Sequence, residues 1–163
     1  MNEPASPQGF SHLDESGRAH MVDVSAKEVT ARTATASGFV RLSPECVATL
    51  RAGDVPKGDA LAVARIAGIQ AAKRTPDLVP LCHPIAIHGV RVDLDVRDEG
   101  VAIEARVRTA DRTGVEMEAL TSVTVAALTL IDMVKAIDPA ATITDVRVEE
   151  KTGGKSGTWR RPA

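Results

Sequence analysis

Aromatic side chains are nearly absent from this chain of 163 residues, which has two phenylalanines, one tryptophan and no tyrosine. The core must therefore be aliphatic, and a platform of several stacked rings for nucleic-acid bases is excluded. Tyrosine is also excluded as an acid or base. Any proton-transfer chemistry must therefore come from lysine, histidine, aspartate, glutamate or cysteine.

The charge, cysteine content and hydropathy of the sequence argue against further classes of protein. Twenty basic and 22 acidic residues leave a formal net charge of −2, whereas nucleic-acid binding needs a strongly basic face. Cys46 and Cys82 are too few for a disulfide framework or a four-cysteine zinc site. No apolar run approaches the roughly 20 residues of a membrane span, and residues 1–11 lack the pattern of a secretory signal. We therefore expect a cytoplasmic chain with no metal site and no membrane or nucleic-acid partner.

The order of the predicted elements indicates the fold. We expect one domain over residues 1–163, with a mobile lead-in at 1–20 and a flexible tail at 151–163 that is rich in glycine and lysine. Periodicity and capping signals predict a strand over 27–42, a short helix from Ser43 to Gly53, a helix over 59–74, a hairpin over about 90–107, a helix over 116–137 and a strand over 142–150. This order is that of the α+β ferredoxin-like βαββαβ fold, in which the helices cover one face of a four-stranded antiparallel sheet.

The predicted long helix carries two stripes of interest. One is apolar and should pack on the sheet: Leu120, Val123, Ala127, Leu130 and Val134. The opposite stripe mixes apolar and ionisable residues: Glu118, Thr121, Val125, Leu128, Asp132 and Lys135. We interpret this second stripe as a contact with another subunit or with the preceding helix, because helices apolar on two sides are usually buried on both. The alternative for Asp132 and Lys135 is an exposed ion pair of a few tenths of a kcal/mol.

Three loop or helix-start segments carry candidate chemistry. Prolines hold His83 on a loop within Pro80–Pro84, where an imidazole can transfer a proton or contact an anion near pH 7; the alternative is a packing histidine. Glu116 and Glu118 form a carboxylate pair at a helix start, where the helix dipole alone already favours acids. Lys57 precedes the Asp59 cap of a helix and is either an anion-binding or a solvated lysine. The Gly154-Lys155-Ser156 run lacks the upstream glycine and following helix of a P-loop, which is rejected.

Taken together, six segments of the sequence resemble the MoaC family, the cyclic pyranopterin monophosphate synthases. The resemblance covers about residues 12–159, and its most specific parts are Leu-Cys-His-Pro and Gly-Val-Glu-Met-Glu-Ala-Leu. The segments are Leu13-Asp14, Met21–Ser25, Lys57–Asp59, Leu81–Ile85, Gly114–Leu120 and Lys151–Gly157.

The resemblance implies a step in molybdenum-cofactor biosynthesis. A radical-SAM enzyme would make 3′,8-cyclo-7,8-dihydroguanosine triphosphate from GTP, and this family would rearrange it into cyclic pyranopterin monophosphate with loss of pyrophosphate. The resemblance also implies a homohexamer, a trimer of dimers with the pocket between subunits, and no cofactor. It assigns catalytic roles to Asp132, Lys57 and Lys135. The implied substrate-binding positions are Leu81, Cys82, His83, Glu116, Met117, Glu118, Arg32 and Lys151.

A second function class stays open at this stage. A ferredoxin-like domain can also pair with a copy of itself and hold a purine nucleotide or a pterin as an effector, without turnover. Exposure to the cyclised GTP intermediate followed by a pyrophosphate assay separates this sensing module from the enzyme.

Overall fold

The computed structural model describes residues 11–163, so the first ten residues of the expected mobile lead-in lie outside the described part. Within it, the chain forms five strands and four helices. In chain order these are β1 (Thr30–Arg41), α1 (Pro44–Ala52), α2 (Ala60–Lys73), α3 (Thr75–Leu78), β2 (Ile87–Arg97), β3 (Gly100–Asp111), α4 (Glu116–Val134), β4 (Thr142–Thr152) and β5 (Trp159–Arg160).

The strands form one antiparallel sheet in the order β2-β3-β1-β4-β5. The first four strands have the ferredoxin-like arrangement, which confirms the predicted α+β fold class. The short strand β5 is an addition to the predicted four-stranded sheet, and it pairs with the end of β4. Within the predicted tail, Lys151 and Thr152 therefore belong to β4, and Trp159–Arg160 lie beside it.

The core lies between one face of the sheet and helix α4. Alternate residues of β1 and β3 are buried, as the period of two along a strand requires. Helix α4 covers them with the predicted apolar stripe, in which Val123, Ala127, Leu130 and Val134 are fully buried. Among the described helices, α4 alone has the length and apolar composition of a membrane span. Half of that window is buried inside the protein, however, as expected for a core helix.

Helices α2 and α4 pack closely because small residues meet at their contact. A Cβ atom added to Gly68 would lie 3.0 Å from the backbone oxygen of Ser122 and 3.1 Å from the Cβ of Ala126. Gly68 and both of these neighbours on α4 are buried. The contact fixes α2, which follows the Lys57 loop, against the helix that carries Asp132.

Helix boundaries follow the predicted capping residues, with small shifts. Ser43 and Asp59 cap α1 and α2 with their side chains, accepting hydrogen bonds from the backbone N–H groups of Cys46 at 3.2 Å and Ala62 at 3.0 Å. Gly53 ends α1 in the left-handed conformation. The prediction that α4 reaches residue 137 is wrong by one turn, because the helix ends at Val134 and the next residues form a turn. Strand β1 starts at Thr30 rather than at residue 27.

Candidate active site

Lys57 lies on a tight turn immediately before α2. Gly58 adopts a φ of 112°, which favours glycine, and its N–H donates to the carbonyl of Val55 at 3.0 Å. Asp59 then caps the helix. The sequence Lys-Gly-Asp thus combines a positive-φ turn with a helix start, and this combination directs the preceding lysine toward the end of α4.

Asp132 joins the two lysines of the predicted catalytic set. Its Oδ1 accepts a hydrogen bond from Lys135 Nζ at 2.7 Å. Lys57 Nζ donates to Asp132 Oδ2 at 3.2 Å and to its backbone carbonyl at 2.9 Å. Hydrogen bonds from Lys135, and next from Lys57, lower the pKa of Asp132, so this carboxylate stays ionised at neutral pH. We call these three residues the lysine–aspartate cluster.

The lysine–aspartate cluster is exposed in a single protomer. The side chains of Lys57, Asp132 and Lys135 keep 45%, 56% and 58% of their accessible surface. Leu128, one turn earlier on the same stripe of α4, is 59% exposed. Within one chain, water therefore reaches all three charged groups, and the second stripe of α4 is left uncovered at this end.

A cavity of about 420 Å³ lies at the other end of α4. Its walls come from the N-terminal segment (defined as residues 11–29), from the loop over 81–85 and from the start of α4. The prolines keep this loop out of any helix, as predicted, and the chain has no helix or strand from Leu81 to Ala86. The described lining residues are Ser11, His12, Val22, Val24, Lys27, Leu81, Cys82, His83, Ile85, Thr113, Gly114, Glu116, Met117 and Glu118.

Glu118 is the most strongly perturbed acid of this cavity. The residue is 2% exposed. Burial, with a smaller contribution from the nearby charge of Glu116, raises the pKa of its carboxyl from 4.5 to about 7. Burial, and next the charge of Glu118, also raises the pKa of the Cys82 thiol. The second stripe of α4, on which the sequence placed Glu118, is thus covered at its first turn within one protomer, whereas Leu128, Asp132 and Lys135 of the same stripe are exposed.

Glu116 and Lys151 form an ion pair between the start of α4 and the end of β4. Lys151 Nζ lies 2.9 Å from Glu116 Oε1. Lys151 pairs in register with Ala34 of β1, which faces the helices. The other carboxylate oxygen of Glu116, Oε2, occupies the space of a side chain at position 114. A Cβ atom added to Gly114 would lie 2.0 Å from this oxygen. Glycine is therefore required for this carboxylate to fold back over the turn.

Arg32 is held beside this ion pair by backbone groups. Its Nε donates to the carbonyl of Asp111 at 3.2 Å, and an Nη donates to that of Arg112 at 3.3 Å. Gly154 approaches so closely that a Cβ there would lie 2.4 Å from the Arg32 guanidinium. The absence of a side chain at Gly154 thus allows the backbone after β4 to pack directly against the Arg32 guanidinium.

The predicted site residues fall into two groups at opposite ends of α4. From Glu118 to Asp132 the helix advances roughly 21 Å at the 1.5 Å rise of an α-helix. The cavity contains six of the eight implied substrate-binding residues, and Arg32 and Lys151 adjoin it through Glu116 and the turn after β3. The three implied catalytic residues form the lysine–aspartate cluster.

Residue-by-residue sequence reasoning did not single out the N-terminal part of the cavity wall. His12, Val22 and Val24 line it although residues 11–26 have no periodicity that predicts a helix or strand. Lys27 also lines it, at the first position of the strand predicted over 27–42. The contact that holds the segment is also invisible in sequence: Nε2–H of His83 donates to the carbonyl of Val22. The family-like runs Leu13-Asp14 and Met21–Ser25 were the signals that pointed to this segment.

Fold and site together define a ferredoxin-like α+β protein with two groups of clustered ionisable side chains suited to a polar ligand. Comparison with known proteins narrows this class: the chain belongs to the MoaC family, whose family model matches residues 21–154. Similar proteins named cyclic pyranopterin monophosphate synthase occur in Streptomyces avermitilis, at 67% identity over 97% of this chain and 93% of the relative, and in Nocardioides sp. strain JS614, at 67% identity over 96% and 98%. A protein of Mycobacterium tuberculosis strain H37Rv named cyclic pyranopterin monophosphate synthase 2 is 60% identical over 93% of this chain and 91% of its own length.

Proposed function

We propose that this chain is a lyase of molybdenum-cofactor biosynthesis. It converts 3′,8-cyclo-7,8-dihydroguanosine triphosphate into cyclic pyranopterin monophosphate and releases pyrophosphate. Family membership and the names of relatives at 60–68% identity support this function. The structural observation that carries it is that Lys57 and Lys135 both form ion pairs with the carboxylate of Asp132. These are the three residues to which the resemblance assigns the chemistry.

The lysine–aspartate cluster supplies proton-transfer groups for the purine rearrangement. Opening the purine ring and closing a pterin ring require several proton transfers, and an ammonium group can give a proton and take it back. Asp132 stays ionised, so it orients both ammonium groups by direct hydrogen bonds. Formation of the cyclic phosphate then needs a sugar oxygen as nucleophile and a stabilised pyrophosphate leaving group.

The cavity binds the nucleotide in this proposal. Glu118, with a pKa of about 7, is present at neutral pH both as an acid that donates and as a carboxylate that accepts. Such a group suits the mixed donor and acceptor edge of a purine or pterin. Lys151 and Arg32 add positive charge at the rim of the cavity for the triphosphate.

We propose that each complete site is assembled from two protomers. The lysine–aspartate cluster and the cavity lie at opposite ends of α4, so two copies of α4 packed antiparallel about a two-fold axis would bring one protomer's cluster to its partner's cavity. Exposed apolar side chains on the two packed helices support this packing: Leu128 of α4 is 59% exposed, and Ile66 and Val63 of α2 are 64% and 41% exposed. The pairing would also remove water from the three charged groups.

The remaining context of the reaction follows from the same resemblance. We propose a homohexamer built as a trimer of such dimers, working in the cytoplasm. The substrate would come from a radical-SAM GTP cyclase, because the cyclised nucleotide has to be produced by a carbon–carbon bond-forming step on GTP. Size-exclusion chromatography with light scattering measures the assembly directly.

The experiment that tests the function uses the purified chain and the cyclised GTP intermediate. We expect stoichiometric release of pyrophosphate and of the cyclic pterin phosphate, measured by a coupled pyrophosphate assay and by mass spectrometry. Lys57→Ala and Lys135→Ala should abolish turnover and leave the circular dichroism spectrum unchanged. Binding without pyrophosphate release would instead identify the sensing module, and near-normal activity of both variants would overturn the mechanism.

Mixing of inactive variants tests the shared site. Coexpression of Lys57→Ala with Glu118→Ala should restore about a quarter of wild-type activity, because half of randomly formed dimers are mixed and each mixed dimer has one intact site. The matched control is coexpression of Lys57→Ala with Lys135→Ala, which leaves a defect in every site and should restore nothing. Equal activity of the two mixtures would contradict a site shared between protomers.

A further inference from the structure

The chain after the glycine-rich run returns along the outer edge of β4. In β5, Trp159 lies opposite Lys151, and Arg160 lies opposite Glu150. We call residues 159–161 the C-terminal strap. Without the strap, the end of β4 would be a sheet edge with unpaired backbone groups. With it, the backbone of Lys151 lies between two strands, opposite Ala34 of β1 on one side and Trp159 on the other.

Arg161 anchors the strap at an irregularity of β4. Thr35 of β1 lies opposite Glu150, but the next residue of β1 lies opposite Val148, so Glu149 is the extra residue of a β-bulge. The backbone N–H of Arg161 donates to the carbonyl of Glu149, and its Nε–H donates to the carbonyl of Val148, both at 2.8 Å. The end of the strap is thereby fixed to the backbone of β4.

Trp159 flanks the side chain of Lys151. Directly opposite residues of an antiparallel pair share one face of the sheet, with Cβ atoms about 4.5–5.5 Å apart. The guanidinium carbon of Arg161 lies 5.8 Å from the centroid of the tryptophan ring. The ammonium end of Lys151 is held by Glu116 of α4, at 2.9 Å from Oε1. The lysine that borders the cavity is therefore confined by the strap at its stem and by α4 at its end.

The strap contributes little to the interior of the protein. Every residue from 155 to 163 is exposed, whereas the aliphatic core lies between the sheet and α4. Loosening of the strap should therefore leave the fold intact and increase the freedom of Lys151. A lysine side chain that is confined before the ligand arrives loses less rotamer freedom on binding, and this preorganisation favours affinity.

We propose that Trp159 of the C-terminal strap is a positioning residue, which holds Lys151 in the geometry that binds the phosphate chain of the substrate. This inference rests on the proposed function, in which Lys151 contributes positive charge for the triphosphate. Trp159 acts through the lysine and touches no reacting atom.

Steady-state kinetics with the cyclised GTP intermediate test this role. Trp159→Ala should raise KM about 10-fold, because the freed lysine has more rotamer freedom to lose on binding, and it should change kcat little. The inhibition constant of inorganic pyrophosphate should rise by a similar factor. Trp159→Phe, which keeps a ring beside the lysine, should restore most of the affinity. The matched control is deletion of residues 162–163, which leaves the strap in place and should leave KM unchanged.

A double-mutant cycle distinguishes positioning of Lys151 from a general loosening of the protein. In a Lys151→Gln background, Trp159→Ala should raise KM by a smaller factor than in wild type, since the group that it positions is already absent. An equal factor in both backgrounds would show that Trp159 does not act through Lys151, and would overturn the inference.

Two outcomes separate the inference from the proposed function. If wild-type protein turns over the intermediate but Trp159→Ala retains its KM and its inhibition by pyrophosphate, the role of Trp159 is wrong and the function stands. If wild-type protein releases no pyrophosphate, the function is wrong. In that case calorimetric titration of inorganic pyrophosphate into wild type and Trp159→Ala still decides the role of Trp159. Weaker binding by the variant would support it, and equal affinities or no binding to either protein would overturn it.

Discussion

Asp138 links the turn after α4 to the start of α1, and its removal should cost the protein a large part of its stability. The residue is 7% exposed. Its Oδ2 accepts a hydrogen bond from the backbone N–H of Ser43 at 2.7 Å, and its Oδ1 accepts one from Ala140 at 3.1 Å. Hydrogen bonds to a charged group contribute about 1.5–3 kcal/mol each. We expect Asp138→Ala to lower the free energy of unfolding by about 3 kcal/mol, toward the low end of that sum, because water can reach the edge of the site.

The assay is equilibrium urea unfolding followed by far-ultraviolet circular dichroism, at one fixed protein concentration. In a chain of this size, such a loss corresponds to a fall in Tm of roughly 6–12 °C. Asp138→Asn should lose less, because the amide oxygen still accepts one of the two bonds. The control is Asp98→Ala, which removes the ion pair between Asp98 and Arg51. Because the side chain of Asp98 is 93% exposed, this variant should change the free energy of unfolding by less than about 0.5 kcal/mol. A loss below about 1 kcal/mol for Asp138→Ala would refute the assigned role of these hydrogen bonds.

Three other predictions concern the site. Folding raises the pKa of Glu118 from 4.5 to about 7, so between these pH values the folded protein binds more protons than the unfolded chain, and its stability falls as the pH rises. Glu118→Gln should therefore gain stability relative to wild type between about pH 5 and pH 8, by at most roughly 3 kcal/mol. A difference in the free energy of unfolding that does not change with pH would contradict the buried acid. Asp132→Asn should lower kcat far more than it raises KM, because the amide no longer attracts two ammonium groups; a change confined to KM would show that Asp132 only binds. Gly154→Ala places a Cβ against Arg32 at a φ of 74°, so it should weaken substrate binding without preventing folding, and an unchanged KM would disprove the close packing there.

Local signals in the sequence were sufficient to predict the elements and their order. The proline after Ser43 and the left-handed Gly53 define α1 through backbone geometry alone, and matched alternation in β2 and β3 defines the hairpin. Such signals depend on neighbours within a few residues, so they survive in any fold that the chain adopts. The spacing of Asp132 and Lys135 on one face of a helix is of the same kind.

The rest of the site depends on contacts between distant segments, and these leave no local pattern. The prediction placed Glu118 on the second stripe of α4 and expected another subunit or the preceding helix to cover that stripe. Helical periodicity gives an angle, but it does not identify what covers the first turn. The loop over 81–85 and the N-terminal segment provide that cover, across more than sixty positions of sequence in the case of His83 and Val22.

The single tryptophan of the sequence lies on the two-residue strand β5, where Trp159 is 39% exposed. With no tyrosine in the chain, intrinsic fluorescence reports almost exclusively on this edge of the sheet. Detachment of the last few residues from β4 would change the emission while the aliphatic interior stays intact. A melting curve recorded by tryptophan fluorescence would thus follow the detachment of β5 from β4. Its midpoint would differ from that of the cooperative unfolding of the domain.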